Sequence, residues 1–232
     1  MSDGGYNQFC PVSMAAEIIC SRWTLLVLRE LVMGSTRFNE LRRGLPNMSP
    51  ALLSKRLKEL EAAGIVTRGV AEREGGGREY HLTEAGAELR PIIEAIGVWG
   101  HRWVTTEATL KNLDANLLMW DIRRNINTDP LPPRRNTIQF MFKDRPASER
   151  NYWLIVEPEK PNDLCLIDPG FEVDLYVSTD LRSITEIWLG FRTIEQVTED
   201  GRLVLTGDSK LAANLRRWLK LSVYANFEKK VA

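Results

Sequence analysis

The sequence predicts a multidomain α+β protein. A helical first half ends in a short hairpin, and strands mixed with a few helices make up the second half. Three observations carry this. Apolar residues recur at helical spacing through most of the first hundred positions. Glycines 75–77 separate two short β-favouring runs. Beyond residue 136, apolar residues recur at every second position. With 232 residues, 44% of them hydrophobic, the chain can bury one large core or two small ones.

Residues 21–34 place Trp23, Val27 and Leu31 four apart, and Gly34 is a natural stop. A short helix over 36–46 closes at Gly44 and Pro46. Ser49 and Pro50 open a third helix, because serine is a good cap and proline suits the first helical turn. That helix stops at Gly64, where a left-handed cap is expected. Residues 65–71 and 79–83 then read as two strands of a hairpin. Three helices followed by a hairpin is the order of a winged helix-turn-helix.

A long helix is expected from Glu84 to about Thr109, kinked or restarted at Pro91. Leu89, Ile92, Ile96, Trp99 and Trp103 form a narrow apolar seam suited to a second helix, as in a dimer; the same stripe could instead cover the domain's own core. The polar, proline-rich stretch 127–136 reads as a loop. Strands are then expected around 138–142, 153–156, 164–167, 171–178 and 203–207. A helix is expected from about Asp180 to Leu189, with a closing amphipathic helix from Ser209. The domain reading is 1–110 for winged helix and dimerisation, 111–135 for a connecting helix and loop, and 136–232 for an α+β domain.

On the third helix Leu53, Leu57 and Leu60 cluster on one side and must face a core. Ala51, Ser54, Lys55 and Lys58 point the other way, a small, hydroxylated and basic face suited to a major groove. Arg56 lies on the flank, placed for backbone phosphate. Lys+Arg and Asp+Glu both number 31, so there is no bulk basic charge. Charge is concentrated instead. Arg37, Arg42, Arg43, Lys55, Arg56 and Lys58 stand against the single acid Glu40, a local surplus of five. Arg73 and Arg78 flank the glycine turn and can meet phosphate or a minor groove, although a solvated hairpin tip would look the same.

No Gly-x-Ser-x-Gly, His-Glu-x-x-His, phosphate loop or dinucleotide fingerprint occurs, so neither a catalytic residue nor a cofactor is expected. Three cysteines without a Cys-x-x-Cys pair argue against a disulfide framework or a metal site. No run of about 18 apolar residues is present, so no membrane partner is expected. The first ten residues lack a secretory pattern, and cytoplasm is the default expectation.

Cys10-Pro11, Trp23, Arg37 to Arg43, Ser49-Pro50, Leu52 to Val66, Arg68, Tyr80 to Gly86 and Trp99 together resemble the HxlR-type winged helix-turn-helix regulators over roughly residues 8–105. The resemblance implies a homodimer on palindromic double-stranded DNA, with the helix after Ser49 as recognition helix and the hairpin as wing. Ser49 joins Arg37, Arg43, Ser54, Lys55, Arg56, Lys58, Arg73 and Arg78 as the expected DNA-facing set. The turn Gly75 to Glu79 departs from the family's usual proline-containing wing. In some members the cysteine of Cys-Pro senses oxidants, so Cys10 is a redox candidate, with an inert structural cysteine as the alternative.

The second half resembles sterol-carrier-type lipid-binding domains, in Glu172 to Ser178, in the helix ending Trp188-Leu189-Gly190, and in Asp200 to Leu219. That implies a sheet with helices on one face around an apolar tunnel for a small hydrophobic ligand. Trp120, Phe140, Phe142, Trp153, Phe171, Leu175, Trp188, Phe191 and Trp218 are the candidate lining, although rings more often just fill a core. A plain dimerisation or partner surface is the alternative for this half. A lipid carrier with a vestigial DNA domain is a third reading.

Overall fold

A computed structural model describes residues 5–70 and 78–231. Two compact units divide the chain at Gly97/Val98.

The first unit contains α1 (Pro11–Ile19), α2 (Thr24–Val32), α3 (Phe38–Gly44) and α4 (Pro50–Ala62), then the antiparallel pair β1 (Val66–Val70) and β2 (Arg78–Leu82). After these come α5 (Glu84–Ala87) and α6 (Arg90–Trp103), the latter running across the boundary. Val27, Leu28, Leu41, Leu53, Leu57 and Leu60 form the centre of its core. Glu30 is buried within this unit, paired with Arg29 at 2.8 Å, while Arg29 also donates to the Gly44 carbonyl at 2.9 Å. A Cβ on Gly44 would lie 1.9 Å from that carboxylate, so α2 and the end of α3 approach closely only because residue 44 is glycine.

Two expectations need correction here. The helix expected without a break from Glu84 to about Thr109 is three pieces, α5, α6 and α7 (Thr106–Leu110). The first break falls just before Pro91, whose missing N–H is harmless only in a first helical turn. Leu89, expected in the seam, packs partly buried against the unit's own core, and Ile93 is the α6 residue that enters it. Ile92, Ile96, Trp99 and Trp103 remain exposed, at 45, 46, 63 and 52%. Beyond Leu89, the stripe therefore does not cover the unit's own core.

The second unit adds α7, α8 (Ala115–Asn125), β3 (Asn136–Phe142), β4 (Asn151–Val156), β5 (Asp163–Cys165) and β6 (Leu175–Thr179). It closes with α9 (Leu181–Trp188), α10 (Ile194–Glu199), β7 (Val204–Gly207), α11 (Ser209–Ala213) and α12 (Leu215–Trp218). The sheet order is β5-β4-β3-β6-β7, antiparallel throughout except for the parallel β3/β6 pair. The stretch 111–135 is not a mere connector, because α8 buries Leu118, Met119 and Ile122 in this unit's core, and Trp120 is buried beside Arg123.

Strand β6 is shorter than the alternation from Phe171 suggests. Asp174 donates its backbone N–H to the Thr137 carbonyl at 2.9 Å, and its side chain accepts the Thr137 N–H at 2.8 Å. A carboxylate thus replaces the ladder, and Phe171 lies outside it, 39% exposed under the Arg135 guanidinium. The closing helix is likewise two pieces. Asn214 turns its amide onto the Lys210 carbonyl at 2.9 Å, the local competition that makes asparagine a poor helix interior.

Candidate nucleic-acid interface

Ser49 caps α4 by accepting the Leu52 N–H at 3.3 Å, and Pro50 takes the first helical position. Gly64 ends the turn beyond it at φ +71°. Leu53, Leu57 and Leu60 are each 1% exposed, so the helix is locked by one face and cannot roll. Its other face presents exposed Ala51, Lys55 and Lys58 beside half-buried Ser54. Lys58 has no ion-pair partner among the described residues, whereas Lys55 stands a loose 3.9 Å from Glu59.

Arg56 is the exception to the expected DNA-facing set. Its side chain is only 15% exposed, donating to the Arg22 carbonyl at 3.0 Å and pairing with Glu59. Arg56 therefore braces α4 against the segment before α2 instead of facing outward. Glu59, three and four positions after Arg56 and Lys55, is the residue that sequence reasoning overlooks; its spacing is the signal for such pairing.

Arg37 is also engaged. It pairs with Glu79 at 3.1 Å and forms an isolated bridge with it, while Tyr80 donates to the Thr36 carbonyl at 2.8 Å. These bonds tie β2 to the entrance of α3, and the Arg37 side chain keeps 47% exposure. Arg43 and Arg78 are exposed. Arg73 lies outside the described residues.

Cys10 is the N-cap residue of α1 and is half-buried. The backbone amides of Ser13 and Val12 hold that thiol below the ordinary cysteine range, since N–H dipoles at a helix start favour a thiolate. Cys20 and Cys165 are also free.

Of the expected ligand-lining residues, Trp120, Phe140, Phe142, Leu175, Trp188 and Trp218 are all buried in the second unit, and all but Trp120 pack into its one main core. Trp153 is buried on the opposite face of β4 from Tyr152 and Leu154, and Phe191 is half-buried, stacked on His101 at 5.5 Å between centroids. None of the nine lines the cleft of about 340 Å³ between residues 128–136 and 156–160. Among the described residues no single helix is long and apolar enough to cross a membrane, and no cluster of side chains could hold a metal ion.

A family model described as HxlR-like helix-turn-helix matches residues 18–108. The uncharacterized HTH-type transcriptional regulator YvaP of Bacillus subtilis (strain 168) is 40% identical over 99 residues, which are 42% of this chain and 92% of that protein. The uncharacterized HTH-type transcriptional regulator sll1512 of Synechocystis is 35% identical over 102 residues, 44% of this chain and 76% of that protein. The solved structure of the redox regulator HypR in its reduced form is 37% identical, covering 39% of this chain and 90% of that chain at a TM-score of 0.37. The family match leaves residues 109–232 outside it, and within residues 18–108 the chain belongs to the HxlR-like helix-turn-helix family.

Proposed function

We propose that this chain is a dimeric, sequence-specific transcription regulator that inserts α4 into the major groove and takes its instructions through the second unit. The observation that carries the reading is the outward face of α4. Ala51, Lys55 and Lys58 are exposed there on a helix whose opposite face is held by three fully buried leucines. Small side chains allow close approach, and lysines supply phosphate contacts or reach guanine edges. The names of YvaP and sll1512, both HTH-type transcriptional regulators, support the same reading. Dimerisation is supported by Ile92, Ile96, Trp99 and Trp103, whose exposure on one helix is an apolar stripe best covered by a second copy.

The test is fluorescence anisotropy on a duplex that the wild-type chain selects from a random pool. Lys55→Ala/Lys58→Ala is expected to weaken binding about tenfold near 0.1 M salt and to lower the slope of log affinity against log salt by about 2. Binding should saturate at two chains per site. A wild-type chain that shows no salt-dependent DNA binding would overturn the proposal.

Cys10 favours a second layer of control. Its place at the start of α1 and its lowered thiol pKa suit reaction with an oxidant or electrophile. Because the thiolate fraction rises at any given pH when the pKa falls, Cys10 should be alkylated by iodoacetamide with a half-point below that of an ordinary thiol. Diamide should change DNA affinity in the wild type and leave Cys10→Ser unaffected. Equal responses in both proteins would leave Cys10 a structural residue.

A further inference from the structure

The cleft of about 340 Å³ in the second unit lies between the proline-rich segment 128–136 and the turn 156–160 after β4. We infer that it binds an amphipathic organic cation, a protonated amine on a short apolar body, and that this is the effector site of the regulator. The effector role rests on the regulator reading above; the binding does not.

The cleft is walled by acceptors without donors. Asn136 lines the cleft, is 1% exposed, and donates through Nδ2 to the Pro132 and Arg134 carbonyls at 2.9 and 2.7 Å. Two carbonyl partners fix which end of the amide is nitrogen, and Oδ1 is left buried without a donor among the described residues. Three further lining residues, Pro132, Pro133 and Pro158, have no N–H to offer. The cations nearby are already occupied. Arg134 holds Asp174 at 2.7 Å, while Arg135 and Lys160 both pair with Glu157. Asp129 and Glu159, also in the lining, are exposed carboxylates with no ion-pair partner among the described residues.

The lining therefore carries three carboxylates, Asp129, Glu157 and Glu159, against two cations that are already paired, Arg134 and Lys160, with the Thr128 hydroxyl as a further polar group. Leu131 and Val156, both buried, supply an apolar floor. An anion would meet a surplus of negative charge, and an uncharged molecule would leave the unpaired carboxylates of Asp129 and Glu159 unanswered. A cation with N–H groups answers those carboxylates and brings donors to a wall that also holds the orphaned Asn136 oxygen.

The 232-residue chain is titrated with 4-phenylbutylammonium, with 4-phenylbutanol and 4-phenylbutanoate as isosteres of changed charge, by calorimetry and amide chemical-shift mapping. The ammonium should bind at least about tenfold tighter than the alcohol, because two unpaired carboxylates on the lining discriminate charge. The carboxylate should not bind. Shifts should centre on residues 128–136 and 156–160. Asp129→Asn/Glu159→Gln, both at exposed positions, should erase the preference for the ammonium while leaving the fold intact. Equal binding of alcohol and ammonium, shifts centred elsewhere, or no saturable binding would overturn the inference. DNA affinity is measured on the same preparations. DNA binding without amine binding sinks this site alone, and amine binding without DNA binding sinks the regulator reading alone.

Discussion

Gly86→Ala is expected to be among the most damaging single substitutions in the first unit, costing about 3 kcal/mol through enforced overpacking. Gly86 is buried in α5, where a Cβ would stand 2.2 Å from the Ile65 carbonyl oxygen. A backbone atom at that distance must move, and this one is held. It accepts the Thr83 N–H at 3.0 Å, while the Thr83 hydroxyl donates to the neighbouring Gly64 carbonyl at 2.7 Å. That hydroxyl in turn caps α5 by accepting the Gly86 N–H at 3.1 Å. Displacing the carbonyl would thus disturb the start of β1, the cap of α5 and the route into α6 together. Gly100→Ala is the control. Nothing lies within 4 Å of a Cβ there, and alanine inside α6 should stabilise by roughly 0.5–1 kcal/mol. Urea midpoints of the two variants should move in opposite directions. A Gly86→Ala midpoint equal to wild type would show that β1 and α5 do not approach as described.

The same region shows how far a sequence can be read. The start of α4 is legible because Ser49 and Pro50 act locally: one accepts an N–H three residues on, the other needs none. Its core face is legible because Leu53, Leu57 and Leu60 obey a single period. The partner of Arg56 across the fold, the Arg22 carbonyl, is not, since a backbone acceptor 34 residues away leaves no mark in spacing. Helix α1 buries no residue, so no core-facing period marks it in the sequence.

In the second unit, alternation in Phe171, Val173, Leu175 and Val177 extends past the point where Asp174 substitutes its carboxylate for the ladder. Periodicity reports which face is buried and not where pairing begins. Nor can it say whether buried rings surround a space or fill it. The cleft beside Asn136 is invisible for the converse reason: it joins two polar, proline-bearing loops that have no period at all.

Trp218→Ala should cost the second unit about 3–5 kcal/mol, the usual range for emptying an aromatic site in a closed core. Trp218 is 0% exposed, and it packs in the same core as Phe140, Phe142 and Leu175. Its indole N–H donates to the Leu211 carbonyl at 2.8 Å, and its own carbonyl accepts the Asn127 N–H at 2.9 Å. One residue therefore joins α11, α12 and the chain leaving α8. Two variants separate volume from hydrogen bonding. Trp218→Ala leaves a void and an orphaned carbonyl, whereas Trp218→Phe keeps most of the volume and orphans only the Leu211 carbonyl, for about 1–3 kcal/mol. Urea denaturation should therefore order the midpoints wild type, Trp218→Phe, Trp218→Ala. Equal losses in both variants would mean that the broken hydrogen bond to Leu211, and not the void, sets the cost. A loss below about 1 kcal/mol in Trp218→Ala would mean that the core relaxes freely around the missing ring, as a wall facing an open tunnel does and a filled interior does not.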